Sequence, residues 1–316
     1  MTEDYAGPAS VEHESPEGNG DEIRRRMLAE LPTDQKLDRV VVLFSGGTDS
    51  MLTAALAAER FDEVFLVTYH RLGLAGTENS ARGAEALANK YGADRIHHEI
   101  IDITKLFKHV SYERYLQNLR KHKLFLLSTC GLCKLSMHIR TLIYCEDHGI
   151  KHVCDGANKG MNLFPAQMVG VLEIMKDLYA DFGISYTNPV YDYEPPADKS
   201  LVDREGMGVL KTSLAPVPEP EPESRTKTTG FALMEKGLAP NENVKGSKYD
   251  RERQPRCFQF TLFNIFAVKH YLGTDSEEGY RAKTAEFMED KVEGMRGLLE
   301  GYRESGPNSK LGKLVK

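Results

Sequence analysis

Apolar positions along the chain come in short unbroken runs that alternate with stretches of helical period. "RVVVLF" (39–44) is continuous and β-branched, as expected of a strand covered on both faces. "SMLTAALAAERF" follows, with Leu52 and Leu56 four apart in Ala-rich sequence, and predicts a helix. The alternation repeats. "EVFLVTYH" reads as a second strand, "TENSARGAEALANKYG" as a second helix closed by Gly92, and "RIHHEIIDI" as a third strand. Helical patterns through "YERYLQNLRKHKLFLL" and from about Cys133 to His148 lead to strand four, "IKHVCDGAN". "PAQMVGVLEIMKDLYADFG" keeps the period through Met168, Leu172, Met175 and Phe182, with Pro165 at its first turn and Gly183 as its stop. "ISYTNPVYD" is strand five. Strands separated by helical patterns imply βαβ units with right-handed crossovers. The predicted fold is therefore α/β, a doubly wound five-stranded parallel sheet.

From about Glu194 the period fails. "PVPEPEPESRTKTTG" is rich in Pro and Glu and predicts a flexible insertion over 194–250. Order is expected to resume at "QPRCFQFTLFNIFAVKHYL" and to end in an amphipathic helix through "YRAKTAEFMEDKVEGMRGLLEGY". The predicted organisation is a disordered tail over 1–22, a sheet domain over 23–193, the insertion, and a mostly helical C-terminal segment over 251–316.

Composition narrows the class. The chain has 316 residues, 41% hydrophobic and 28% charged, with a net charge of −6. That balance suits an ordinary globular protein and argues against nonspecific nucleic-acid binding as the main activity. It leaves room for a local basic patch such as "RKHK" at Arg120 to Lys123; with Arg114 and Lys134 this is either an RNA-phosphate face or a solvated helix surface. No apolar run approaches a membrane span, and the Pro-, Gly- and Glu-rich start is no secretory signal, so the expected location is cytoplasmic. An odd five cysteines do not suggest a disulfide framework.

The chemistry begins where strand one ends, at "SGGTDS", Ser45 to Ser50. A strand, two glycines and a helix N-terminus gather backbone N–H groups around one concavity, and the helix dipole adds positive potential there. A phosphate is the natural occupant. Ser45, Thr48 and Ser50 add hydroxyl donors, and Asp49 beside a phosphate implies Mg²⁺ between them. The plainer reading is a Gly-Gly turn with Asp49 or Ser50 capping the helix. It is not a Walker A loop, because the Lys and its following Ser/Thr are missing.

The second signal is "STCGLCKLSMH". Cys130 and Cys133 stand C-x-x-C at a helix start, where the dipole and Lys134 are expected to lower a thiol pKa. Such a pair can bind zinc, bind an iron–sulfur cluster or cycle through a disulfide. His138 and Cys145 are nearby candidates for further zinc ligands, but no second C-x-x-C exists. Cys257, in "QPRCFQF" beside Arg253 and Arg256, is a third cysteine in a suggestive setting. Cys145 and Cys154 read as buried small hydrophobes, His97 and His98 as an exposed strand face, and His138 as a solvated helix residue.

"SGGTDS" after the first strand of a parallel sheet resembles the pyrophosphate loop of the PP-loop ATP pyrophosphatase superfamily, whose pattern Ser-Gly-Gly-x-Asp-Ser it matches at every fixed position. The resemblance implies an adenine nucleotide α-hydrolase-like fold over roughly Leu37 to Asp192. It implies cleavage of ATP between the α and β phosphates, adenylation of an acceptor and release of pyrophosphate. Ser45, Gly46, Gly47, Thr48, Asp49 and Ser50 would then hold the pyrophosphate and Mg²⁺, with Asp49 catalytic. "VTYH", with Tyr69 and His70, would lie against adenine and ribose. "DGAN", with Gly156 and Asn158, falls where relatives carry Gly and Asn before acidic residues; here "KGMN" follows instead.

A C-x-x-C pair plus one distant cysteine is similar to the cluster-dependent tRNA thiolation enzymes of that superfamily. By that resemblance Cys130, Cys133 and Cys257 would be catalytic and hold a [4Fe–4S] cluster presenting sulfur to an adenylated tRNA base or small molecule. Sulfur would come from a donor protein or free sulfide, and a homodimer stays open. Flanking zinc-binding cysteine pairs of the tRNA 2-thiouridine synthetases are absent. The alternatives are an amide or nitrile synthetase using ammonia with Zn²⁺ on the cysteines, or an ATP-sensing module without turnover.

Overall fold

A computed structural model describes residues 37–113, 115–127, 129–194, 228–260 and 265–316. The expected tail, Arg114 and most of the Pro/Glu-rich insertion lie outside the described residues.

Five parallel strands form the centre: β1 (Leu37–Leu43), β2 (Phe61–His70), β4 (Ile96–Asp102), β5 (His152–Asp155) and β6 (Ser185–Thr187). Their order is β4-β2-β1-β5-β6, so the sheet winds outward in both directions from β1. This is the doubly wound α/β parallel sheet that the sequence predicts. The unbroken apolar run of β1 has a direct cause. Val41 and Leu43 enter the core on one face, Val40 and Val42 enter it on the other, and no position is left for a polar side chain. Each such buried side chain contributes roughly 1.5–3 kcal/mol.

On one face lie α1 (Thr48–Arg60) and α2 (Ser80–Tyr91). On the other lie α3 (Thr104–Tyr112), α5 (Thr129–His148) and α6 (Val169–Ala180), and α4 (Tyr115–His122) falls between α3 and α5 in the chain. The sequence reading missed α3 and ran α4 too long, since Lys123–Leu127 is a tighter 3₁₀ segment. Pro165 opens a separate single turn, Pro165–Gln167, before α6. Among the described residues no helix is long and apolar enough to cross a membrane.

Part of the expected flexible insertion is folded. Residues 228–250 include α7 (Thr229–Glu235), packed on α1, and the start of the one-turn α8 (Lys248–Arg251). The chain then enters β7 (Arg256–Cys257), which pairs antiparallel with β3 (Leu74–Ala75) just beyond the end of β2. After α9 (Ile265–Thr274), the 29-residue α10 (Glu277–Ser305) packs along α6 and α5, and the short α11 (Lys310–Leu314) closes against it. Phe287, Met288, Val292, Met295 and Leu299 keep the helical spacing and are buried, as the pattern predicts.

Candidate active site at the glycine loop

The carboxyl edge of the sheet at the β1/β5 switch point is where a doubly wound fold binds ligands. Leu43, Val67 and Asp155 stand in register there. Beyond them the chain turns through Ser45-Gly46-Gly47 into α1. Gly46 holds φ +82°, a left-handed conformation that favours glycine. Ser45 Oγ lies 3.1 Å from Ser50 Oγ and accepts from Gly47 N at 3.3 Å, which fixes the loop from within. Gly156 brings the β5 loop so close that a Cβ there would sit 2.7 Å from Ser50 N.

No side chain from the loop itself caps α1. The capping carboxylate comes from Asp250 on α8, whose Oδ1 accepts Thr48 N at 2.8 Å and Thr48 Oγ1 at 2.7 Å. Asp49 turns aside. Its Oδ2 pairs with Lys245 Nζ at 2.7 Å and its Oδ1 accepts Thr229 Oγ1 at 2.8 Å. Sequence reasoning missed Thr229, Lys245 and Asp250 altogether.

The loop opens on a cavity of about 360 Å³. Ser45, Thr48, Asp49, Lys134 and Lys245 give it a polar side, while Val67, Tyr69, Leu74 and Met137 give it an apolar one. Of the residues expected to touch adenine and ribose, Tyr69 lines the cavity and His70 does not; His70 Nδ1 is 3.1 Å from Thr77 Oγ1. Gly156 lines it, whereas Asn158 is fully buried and donates to Val190 O and Tyr193 O, holding a loop together.

Lys134 belongs to this cavity and not to an outer basic face. Its Nζ lies 2.5 Å from Asp155 Oδ2, which also accepts from the Tyr186 hydroxyl. Asn188 Nδ2 and Ala157 N donate to Asp155 Oδ1. Burial pushes the Asp155 carboxyl up, but Lys134, His138 and the Tyr186 hydroxyl outweigh it and hold it below the usual carboxylate range. His138 lies fully buried behind the pair and not in solvent; burial and then the Lys134 charge push it down to about 3. Lys121 and His122, part of the expected basic face, pair with Asp290 on α10. His98 is not on an exposed face either: its Nε2 is 2.9 Å from Thr68 Oγ1, and burial lowers its pKa. His97 is half-exposed and stacks on Phe65.

The three named cysteines converge beside this cavity. Cys130 and Cys133 open α5, and the β3–β7 pair sets Cys257 opposite Leu74. Between them runs Arg71, whose side chain is buried although it follows β2 directly. Its Nε donates to Cys133 Sγ at 2.8 Å and its Nη2 to Cys257 Sγ at 3.5 Å. Cys130 stands near both, close enough that a thiolate on either would push its own pKa up. Helix start and Lys134 do not make Cys130 and Cys133 acidic. Burial pushes Cys130 up to about 12, and raises Cys133 despite Arg71 and Lys134. No disulfide joins any of the five cysteines, and Cys145 and Cys154 are buried as expected.

Three thiols from two segments around one buried cation match the donor chemistry of a cysteine-bound cluster, since the guanidinium offsets thiolate charge. Among the described residues, though, no group of three or more His, Cys, Asp or Glu is set to hold an ion, and Arg71 bonds two of the three sulfurs. Asp49 is likewise engaged by Lys245 and Thr229, so Mg²⁺ would enter with a nucleotide and not at a prebuilt site.

The family model for queuosine biosynthesis protein QueC matches residues 39–122, a stretch that holds the glycine loop, Tyr69 and Arg71 but stops before Cys130. No curated protein matches. Solved structures similar to the chain include a predicted subunit of tRNA methyltransferase from Methanocaldococcus jannaschii, at 15% identity and TM-score 0.35, covering 70% of this chain and 96% of that one. The U34-tRNA thiolase NcsA from Methanococcus maripaludis, with its [4Fe-4S] cluster, is 15% identical at TM-score 0.34, covering 88% and 80%. NMN synthetase from Francisella tularensis is 13% identical at TM-score 0.32, covering 90% and 96%. Likenesses this distant carry no argument about activity. Sheet order and the loop make this a doubly wound α/β chain whose glycine loop resembles that of the PP-loop, adenine nucleotide α-hydrolase-like proteins.

Proposed function

We propose that the chain is an AMP-forming ATP pyrophosphatase that adenylates an acceptor and then transfers sulfur to it. The observation that carries this reading is the adjacency of the two sites. Lys134 follows Cys133, Pro255 stands two residues before Cys257, Leu74 pairs with Cys257, and all three line the cavity onto which the glycine loop opens.

Each group then has a task. The Thr48 amide and hydroxyl and the Ser45 hydroxyl stabilise the negative charge that grows on pyrophosphate as the α–β bond breaks. Lys134, steadied by Asp155, and Lys245 supply cations near the leaving oxygens. The apolar side with Tyr69 receives the base. A [4Fe–4S] cluster, when bound by Cys130, Cys133 and Cys257, would supply sulfur for transfer. Arg71 would balance its thiolate charge. The acceptor is a tRNA base or a small molecule, and sulfur would arrive from a donor protein or as sulfide.

A second reading, ammonia as nucleophile with zinc on the cysteines, draws on the QueC match over the loop, a match that ends before the cysteines. Anaerobic purification with metal analysis separates the two. Iron and acid-labile sulfide, lost together in Cys130→Ser, Cys133→Ser and Cys257→Ser, support sulfur transfer. Stoichiometric zinc without iron supports the second reading.

A further inference from the structure

The loop read as a pyrophosphate cradle already holds an oxyanion. Asp250 Oδ1 receives both donors of Thr48, at 2.8 and 2.7 Å, as a phosphate oxygen would. Its Oδ2 accepts Gly246 N at 2.9 Å and Gln254 Nε2 at 3.1 Å, and the residue is 3% exposed. A second, steric observation agrees. A Cβ on Gly46 would lie 2.3 Å from Arg253 O, and one on Gly47 would lie 2.5 Å from Gln254 Oε1. The space that the two glycines leave open is therefore filled by the same strap, residues 245–254. A third concerns charge. Lys245 is nearly buried and neutralises Asp49, the carboxylate that would otherwise face an incoming phosphate.

On the reading of this loop as a pyrophosphate site, we propose that the strap is its resident counter-ligand. Asp250 occupies the Thr48 donors in the nucleotide-free protein and leaves them when pyrophosphate or the ATP tail binds, while Lys245 turns from Asp49 to the phosphate oxygens. The exchange is electrostatically sensible. A single carboxylate is replaced at the helix N-terminus by a more highly charged group, with Lys245 available as its cation. Lys245 and Asp250 thereby become binding residues for the nucleotide, although neither belongs to the loop motif.

The alternative is that Asp250 is a permanent helix cap. Titrating wild-type, Asp250→Ala and Lys245→Ala proteins with magnesium pyrophosphate in a calorimeter distinguishes them. A competing charged hydrogen-bond pair is worth about tenfold or more in affinity. Asp250→Ala should therefore bind about tenfold tighter than wild type, and Lys245→Ala about tenfold weaker. Wild type that binds, with Asp250→Ala equal or weaker, overturns the strap proposal and leaves the loop reading standing. No binding by wild type or Asp250→Ala overturns both. Hydrogen exchange on the wild type covers the case in which Asp250→Ala does not fold. Amides from Gly246 to Arg251 should exchange faster with magnesium pyrophosphate bound, and unchanged or slower exchange overturns the proposal.

Discussion

The glycine loop is a set of donors and charges whose partners are all close by, each a few ångströms of ordinary polar contact. Beside it, the cysteine centre is three thiols, Cys130 and Cys133 among them desolvated, around one buried guanidinium. The loop is compact in sequence, six consecutive residues. The centre draws on residues 71, 130, 133 and 257, of which Arg71 and Cys133 are buried and Cys130 and Cys257 partly exposed. Burial acts on them differently. At the loop, Asp49 keeps a cation and a hydroxyl donor, so its charge is compensated. At the centre, burial keeps Cys130 protonated, so its sulfur becomes a ligand or nucleophile only when something supplies positive charge. Nucleotide chemistry suits the first environment, and soft-metal or sulfur chemistry suits the second.

Breaking one region while sparing the other sharpens this contrast. The largest expected effect is at Cys130. A pKa of about 12 in place of the ordinary 9.0 leaves about 10³-fold less thiolate at pH 8, so Cys130 should alkylate with iodoacetamide about that much more slowly than a free thiol. Peptide mass spectrometry after a timed quench measures this. Alkylation at the rate of a free thiol would remove the desolvated centre from the account.

Next comes Asp49→Ala. Loss of a charge-positioning group in a site of this kind typically costs about 10²–10³ in rate. ATP-dependent pyrophosphate release should fall by that factor while the iron content of anaerobically prepared protein stays the same. Unchanged release at saturating ATP would take catalysis away from the loop.

His138 tests the floor that the two regions share. Burial and Lys134 depress its folded pKa to about 3, against 6.5 unfolded, so between those values the unfolded chain binds the extra proton. Stability from the neutral ring is full above pH 6.5 and is lost as pH falls toward 3, at up to about 1.4 kcal/mol per unit. Asp155, also depressed, adds its loss lower, below the usual carboxylate pKa. Lys134, Tyr179 and Tyr186 complete the charged and titratable surroundings of the ring. Urea unfolding at pH 6.5, 5.5 and 4.5 should therefore show a steep slope in wild type and a shallower one in His138→Gln. Equal slopes would contradict a neutral buried imidazole.

The smallest effect is expected at the surface. Lys121 is half-exposed and shares Asp290 with His122, and such pairs are worth about 0–1 kcal/mol. Lys121→Ala should shift the unfolding free energy by less than about 1 kcal/mol. A larger loss would mean that α4 is held to α10 through this ion pair.

The five strands and the glycine loop were legible because their signals are local. Continuous β-branched runs mark strands buried on both faces, and Gly-Gly between a strand and an Ala-rich helix marks a phosphate-sized turn. The three cysteines were legible as chemistry, and their convergence rested on resemblance. Lys245 and Asp250 were not legible. They sit in polar sequence whose helices, seven residues in α7 and four in α8, are too short to show a period. Arg71 left a faint signal, a cation directly after an apolar strand, but its burial depends on Cys133 and Gln259, far away in the chain. His138 and Lys134 were misplaced for a related reason. α5 is buried around most of its circumference, so its polar residues carry no outward face to betray them.

The claim that the two regions serve one reaction rests first on how ATP is cut. Anaerobic protein incubated with magnesium ATP, sulfide and bulk tRNA or a small-metabolite extract should yield AMP and pyrophosphate in equal amounts, resolved by anion-exchange chromatography. Cys257→Ser should still form both without incorporating sulfur. Formation of ADP and phosphate, or no consumption of ATP with either acceptor pool, would contradict it.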